Sequence, residues 1–162
     1  MIRASTGVIL EISNSFIVFI ISLMPILELR GGLIAAAILG LDIVPSFIIC
    51  LIGNILPLPF ILFFITYIFD FLKKHTKLKN FVEKIEKKAL SKKDKIEKAE
   101  FWGLLLFVGI PLPGTGGWTG TLIAALIGMD KKKAMTATIL GVLLASIIVG
   151  TLSFGLLKGI IE

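Results

Sequence analysis

The sequence predicts an all-α membrane protein. It is built as an inverted repeat of two units, each a re-entrant helical hairpin followed by one transmembrane helix, joined by a basic amphipathic linker. Three observations predict this. The chain has 162 residues, 56% of them hydrophobic, with mean hydropathy +1.00, which is too apolar for a soluble domain of that length. Its charge is segregated: eleven of the seventeen Lys and Arg and six acids fall within 70–100, whereas 101–129 and 134–157 carry none. Two broken apolar blocks also match each other at an offset of 88 residues.

The first apolar block covers 12–41 and is interrupted by Pro25-Ile26-Leu27-Glu28-Leu29-Arg30-Gly31-Gly32. A helix does not run undisturbed through Pro and Gly-Gly. An acid and a base at membrane depth face protein or a water-filled cavity, so the octapeptide reads as a break carrying two ionisable groups. Residues 1–10 do not read as a signal peptide, because Glu11 cuts their apolar patch short and no small-residue cleavage site follows. The whole chain is therefore taken as mature.

The second block, 43–69, exceeds the roughly 20 residues that cross a bilayer. Gly53-Asn54 and Pro57-Leu58-Pro59 predict a kink in it. In the linker, 70–100, the residues Leu78, Phe81, Val82, Ile85 and Ala89 recur at amphipathic-helix spacing. Ser91 and Asp94 form a capping box opening a second short helix toward Ala99. Such a basic segment between spans lies on the membrane surface against anionic lipid head groups; the alternative is a solvated linker. The third block, 101–129, breaks at Pro111-Leu112-Pro113-Gly114-Thr115-Gly116-Gly117. Asp130-Lys131-Lys132-Lys133 follow, then a clean span at 134–157. The chain is one membrane domain: repeat 1 at about 12–69, linker 70–100, repeat 2 at about 101–157.

At the constant offset, Pro25 falls on Pro113, Gly32 on Gly120, Ala36-Ala37 on Ala124-Ala125, Gly40 on Gly128, Asp42 on Asp130 and Gly53 on Gly141. Topology follows from charge. If 101–129 crossed the membrane, the Lys-rich linker and Lys131 to Lys133 would lie on opposite sides, against the positive-inside rule. The arm 101–112 is also only about 18 Å long as a helix, short of a core roughly 30 Å thick. A hairpin entering and leaving from the cytoplasm resolves both. The repeat then places the first hairpin's ends, and Asp42, outside. The expected location is the cell (inner or plasma) membrane, multi-pass, with the linker cytoplasmic.

Helix N-termini near Gly31-Gly32 and at Gly114, Gly116 and Gly117 form anion-friendly sites. Arg30 adds a fork suited to phosphate or carboxylate. Thr115, Thr119 and Thr121 add hydroxyls, and Trp118 adds an indole donor. Glu28, set between burial and a neighbouring Arg, is a group that can load and release a proton. The alternatives are a structural Glu28–Arg30 ion pair, or Glu28 capping the Gly31-Gly32 amides. Asn54 is a further candidate, and it can instead satisfy backbone freed at Pro57. Asp42 and Asp130 read as interfacial helix ends.

Other chemistries find no residues. His75 is the lone histidine, which leaves no metal cluster and no Ser-His-Asp arrangement. The stretch 114–117 lacks the Lys and hydroxyl of a phosphate-binding loop. Cys50 has no disulfide partner and reads as a small buried hydrophobe. Basic residues are local, unlike a nucleic-acid footprint. No cofactor, metal or catalysis is expected.

Residues 25–42, together with Gly109-Ile110-Pro111-Leu112-Pro113-Gly114-Thr115-Gly116-Gly117-Trp118, resemble the small multidrug export protein family, with the likeness extending over 12–157. That family is similar to the DedA and VTT-domain membrane proteins, which share a hairpin-plus-span inverted repeat and include proton-linked translocases of polyprenyl phosphate and lipid scramblases. The DedA group carries an acid in the first hairpin and arginines in the second. Here Glu28 and Arg30 both lie in the first.

The resemblance implies a transporter. The expectation is a proton-coupled transporter or flippase for an amphipathic anionic substrate such as polyprenyl phosphate. The alternatives are a small multidrug or cation exporter that exchanges a proton at Glu28, and a non-transporting scaffold. Two spans shield little polar backbone, so a homodimer is expected, with Gly141, Ala145, Gly150 and Gly155 as close-approach positions.

Overall fold

The computed structural model describes residues 2–75, 78–91 and 100–161. Among them the chain is all-helical: α1 (Ile2–Leu23), α2 (Glu28–Ile38), α3 (Ile43–Ile55), α4 (Leu58–His75), α5 (Lys79–Leu90), α6 (Glu100–Gly109), α7 (Gly117–Leu126) and α8 (Lys131–Ile161). Two stretches are long and apolar enough to cross a membrane, Ile43–Lys74 through α3 and α4, and Lys131–Gly155 in α8. Leu10–Leu23, α6 and α7 are shorter apolar helices. The kink expected in the second block is an interruption between α3 and α4. Pro57 and Pro59 have no N–H to give to Gly53 and Ile55, so two rungs of the ladder are missing there.

The chain divides into two compact units, Met1–Leu56 with Val142–Glu162, and Pro57–Gly141. They cut across the sequence halves. The chain leaves the first unit where α3 is interrupted and returns to it within α8 just after Gly141, the residue matched to Gly53.

In the first unit α1, α2 and α3 pack pairwise on one another, around Val18, Leu29, Leu33, Ala36 and Cys50. Glycine sets how close they come. A Cβ on Gly53 would lie 2.8 Å from the Phe19 carbonyl oxygen and 3.1 Å from Ser22 Cβ, and a Cβ on Gly32 would collide with Ser22 Oγ. Lower in the unit, Gly150 of α8 faces Leu33 and Phe47.

In the second unit α7 packs on α4, α5 and α6, and α4 packs on α5. Glycine again sets the approach. A Cβ on Gly141 would lie 2.8 Å from the Leu105 carbonyl oxygen and 2.7 Å from Val108 Cβ, and one on Gly120 would lie 2.5 Å from Val108 Cγ2. Lys133 Nζ at the start of α8 is 3.5 Å from Glu100 Oε2 at the start of α6. The hairpin α6–α7 therefore returns to the end from which it set out. Lys131 sits 4.6 Å over the Phe63 ring.

The linker helix α5 is docked rather than free. Val82 is buried, and Lys73 Nζ of α4 meets Glu86 Oε1 at 2.7 Å. Leu78 and Phe81 remain exposed on its outer edge. The helix expected from Ser91 and Asp94 toward Ala99 lies outside the described residues. Ser91 itself donates its hydroxyl to the Lys88 carbonyl at 2.8 Å, at the end of α5.

Local features recur between the two hairpins. Gly40 and Gly128, 88 residues apart, both take positive φ (68° and 70°) after the helix end. Their amides bond to Ala37 and Ala125 oxygens at 3.2 Å each, and the following amides, Leu41 and Met129, bond to Ala36 and Ala124 oxygens at 3.0 Å each. This is the double bond pattern of a glycine helix stop. Before the tips the offset is 86, since α1 ends at Leu23 and α6 at Gly109. Phe19 and Ser22 play against Gly53 and Gly32 the parts that Leu105 and Val108 play against Gly141 and Gly120. The second tip is thus longer by two residues, and Pro25 corresponds to Pro111 instead of Pro113.

Two boundaries differ from the sequence reading. Helix α1 begins at Ile2, well before residue 12, and α2 begins at Glu28, so five of the eight residues of the octapeptide are helical. Gly31 and Gly32 do not stop the helix, because the close contact with α1 that Gly32 permits offsets its poor propensity.

Candidate functional site: two hairpin tips

The first tip is a single tight turn. After α1 ends, the Met24 amide bonds to Ile21 O at 3.2 Å and the Glu28 amide to Met24 O at 2.9 Å. Pro25, Ile26 and Leu27 fill the turn, and Ile26 is 91% exposed. A turn capped by apolar, outward-facing residues suits a non-aqueous surrounding.

Glu28 follows at φ 52°, in the left-handed region, and is only 6% exposed. A non-glycine residue pays to sit there. Arg30, half-buried, lies within electrostatic reach of Glu28. The Gly31 amide donates to Leu27 O at 2.9 Å, within the helix. Gly32 is buried against Ser22 and Cys50.

Ser22 is the hub of this tip. Its hydroxyl donates to Val18 O at 2.9 Å, and its carbonyl accepts Asn54 Nδ2 at 3.4 Å. Asn54, 1% exposed, thereby serves a carbonyl at the end of α1, one of those a helix leaves unsatisfied. Its Oδ1 has no hydrogen-bond partner among the described residues.

The second tip is a longer loop held by Thr115. The hydroxyl lies 3.0 Å from Ile110 O and 2.8 Å from Leu112 O, and accepts the Leu112 amide at 3.3 Å. Gly114 (φ 75°) and Gly116 (φ 145°) take conformations that a side chain would strain. Gly116 and Gly117 are buried where α7 starts, and Trp118 and Thr119 are half-buried on its first turn. Ile110 and Leu112 are exposed, as Ile26 is at the first tip. The hydroxyls of Thr121 and Thr138 are buried without a hydrogen-bond partner among the described residues.

Within the first unit the structure thus gathers Glu28 with Arg30, and Gly32 with Asn54 through Ser22. Within the second it gathers Gly114 to Thr119. A family model described as "Putative small multi-drug export protein" matches residues 28–148. The chain belongs to this family. No curated protein and no solved structure matches it. The matched stretch opens at Glu28, just after the turn of the first tip, and takes in the whole second tip, the linker and most of α8. Family and spans together point to a membrane transporter of the export class. Among the described residues no three of His, Cys, Asp and Glu gather as a metal site.

Sequence reasoning did not single out Ser22 or Thr138. Ser22 gains its role only through contacts with residues 10 and 32 positions away, which a single sequence does not connect. Thr138 had one usable signal: it occupies the position matched to Cys50, 88 residues on. Thr115 was singled out for its hydroxyl, and that hydroxyl is used to fold the loop.

Proposed function

We propose that the chain is a proton-linked exporter of amphipathic small molecules, in which Glu28 carries the proton. The observation behind this is Glu28 itself, an acid held almost out of reach of solvent in a backbone conformation that glycine would occupy at lower cost. Strain of this kind clusters where function requires a particular side chain in a particular place. A buried carboxylate beside a fixed guanidinium can exchange a proton for a cationic cargo while the charge of the site stays constant. An inverted repeat of two re-entrant hairpins is part of the proposal. It is supported by the recurring glycine stops, the return of α6–α7 to Glu100 and the apolar exposure of both tips. Docking of the linker's exposed Leu78 and Phe81 edge on anionic lipid is proposed with it.

A second reading, transport of an anionic lipid phosphate, is favoured by Arg30. It draws less from the glycines and threonine, since the Gly31 amide and the Thr115 hydroxyl are engaged in the fold. Reconstituted vesicles carrying a pH gradient test both. Export of a cationic dye driven by the gradient and lost in Glu28→Gln supports the first reading. Movement of a short-chain polyprenyl phosphate alone supports the second, and unchanged transport in Glu28→Gln overturns the role given to Glu28.

A further inference from the structure

The apolar stretch through α3 and α4 is longer than a membrane needs. It runs from Ile43 to Lys74, 32 residues, and crossing a bilayer core takes about 20, which leaves about 12 over. Contacts within the second unit place the border accordingly. Lys131, the first residue of α8, sits 4.6 Å over the Phe63 ring of α4. Lys133 Nζ is 3.5 Å from Oε2 of Glu100, the first residue of α6. The charged starts of α6 and α8 thus gather near Phe63, while α4 continues to His75. That remainder is about 18 Å of helix at 1.5 Å per residue.

Helix α5 folds back along this overhang, with Val82 buried and Lys73 Nζ at 2.7 Å from Glu86 Oε1. Each of the two helices carries an exposed stripe of rings and lysines. On α4, Tyr67, Phe71 and Lys74 recur at i, i+4 and i+7; on α5, Phe81, Lys84 and Lys88 recur at i, i+3 and i+7. The three rings are each more than half exposed. Charge on the hairpin is unevenly matched. All three acids of 70–91 meet lysines: Asp70 and Glu86 meet Lys73, and Glu83 meets Lys79. Lys74, Lys84, Lys87 and Lys88 are exposed and have no ion pair among the described residues.

Neither water nor hydrocarbon suits this surface. In water the rings would stand uncovered. In the core Asp70 and the lysines would lose their hydration. The headgroup layer accepts both, with rings at the boundary and lysine stems reaching outward. We propose that α4 leaves the bilayer core near Phe63, and that its last turns lie with α5 in the headgroup layer of an anionic leaflet. The four unmatched lysines then face net-negative lipid head groups. This rests on the membrane reading and extends the linker docking given above from one edge of α5 to the end of the span.

Spin labels at Phe71→Cys and Phe81→Cys, in a Cys50→Ala background, test it in the reconstituted full chain. Power-saturation EPR compares collisions with oxygen, which concentrates in lipid, and with a neutral nickel chelate, which stays in water. It reads position without transport, so it stands apart from the role given to Glu28. In phosphatidylcholine vesicles containing phosphatidylglycerol, both labels are expected at headgroup depth. In phosphatidylcholine alone, nickel access is expected to rise by about twofold or more. Lys74→Gln, Lys84→Gln, Lys87→Gln and Lys88→Gln together should give the same rise in the anionic vesicles. Their melting temperature should hold, since no ion pair of the described residues is lost. Labels in water in both vesicle types would favour an acidic protein partner, and spin–spin broadening would assign the face to a second copy. Either result overturns the proposal, as does a depth inside the hydrocarbon. A further label at Phe60→Cys is expected in oxygen-rich lipid throughout; nickel access there would reject the span itself, and the docking with it.

Discussion

A left-handed φ of 52° at Glu28 costs an L-residue about 1 kcal/mol or more that glycine does not pay. The same residue is nearly fully buried. Two substitutions separate its possible roles. Glu28→Gln keeps the shape and the strain and removes the titratable group. Glu28→Gly removes both. If the carboxylate serves transport, Glu28→Gly melts no lower than wild type in detergent, because relief of strain offsets the lost contacts, and both variants lose gradient-driven export. A Glu28→Gly protein that melts several degrees lower while still transporting would assign Glu28 to a structural ion pair with Arg30. The choice of these two residues was legible from sequence, since they are the charged groups of an apolar block. The positive φ was not, because glutamate rarely adopts it and Gly31 and Gly32 stand nearby as more obvious hosts for a break.

At the scale of elements, two arms and a span meet through glycine in each hairpin. A Cβ on Gly32 would meet Ser22 and Cys50, and one on Gly120 would meet Val108 and Leu104. Gly32→Ala is expected to destabilise by about 1–3 kcal/mol, the usual cost of overpacking a tight contact. The cost should be smaller in a Ser22→Ala background, where the nearest clashing atom is gone. Thermal or chemical unfolding of the four proteins of this cycle measures that coupling. Purely additive effects would mean that α1 and α2 do not rely on this contact.

The second arms were legible, because Gly40, Asp42, Gly128 and Asp130 punctuate them with residues whose physics is specific: a left-handed stop and a helix start. The first arms were not. Runs of Ile, Leu and Phe carry no marker of register, so the two-residue difference in tip length emerges only from which backbone oxygen each glycine faces. Among the positions offered for a dimer contact, Gly141, Ala145 and Gly150 are buried within the chain, and only Gly155 has open space before it. Of the four, Gly155 is thus the position left open to a second copy of the chain.

For the whole molecule the question is whether the tips lie inside the membrane. Helices α6 and α7 have ten residues each, about 15 Å at 1.5 Å per residue, half of a core roughly 30 Å thick. Lys133 beside Glu100 returns the second hairpin to its starting end. If the tips stop at mid-depth, the Lys-rich linker and Lys131 to Lys133 are expected on one side, as the positive-inside rule requires. Cysteine labelling with a charged, membrane-impermeant reagent tests this, in a Cys50→Ala background that removes the one native thiol. Val44→Cys, 65% exposed near the start of α3, is expected to label from outside. Lys132→Cys should label only from the cytoplasmic face. Ile26→Cys and Leu112→Cys decide the matter, since both residues are exposed on the protein and are shielded only if lipid covers them. Neither is expected to react from either side. Labelling of Leu112→Cys from outside would mean that α6 crosses the membrane, and same-side labelling of Val44→Cys and Lys132→Cys would reject the inversion of the two halves.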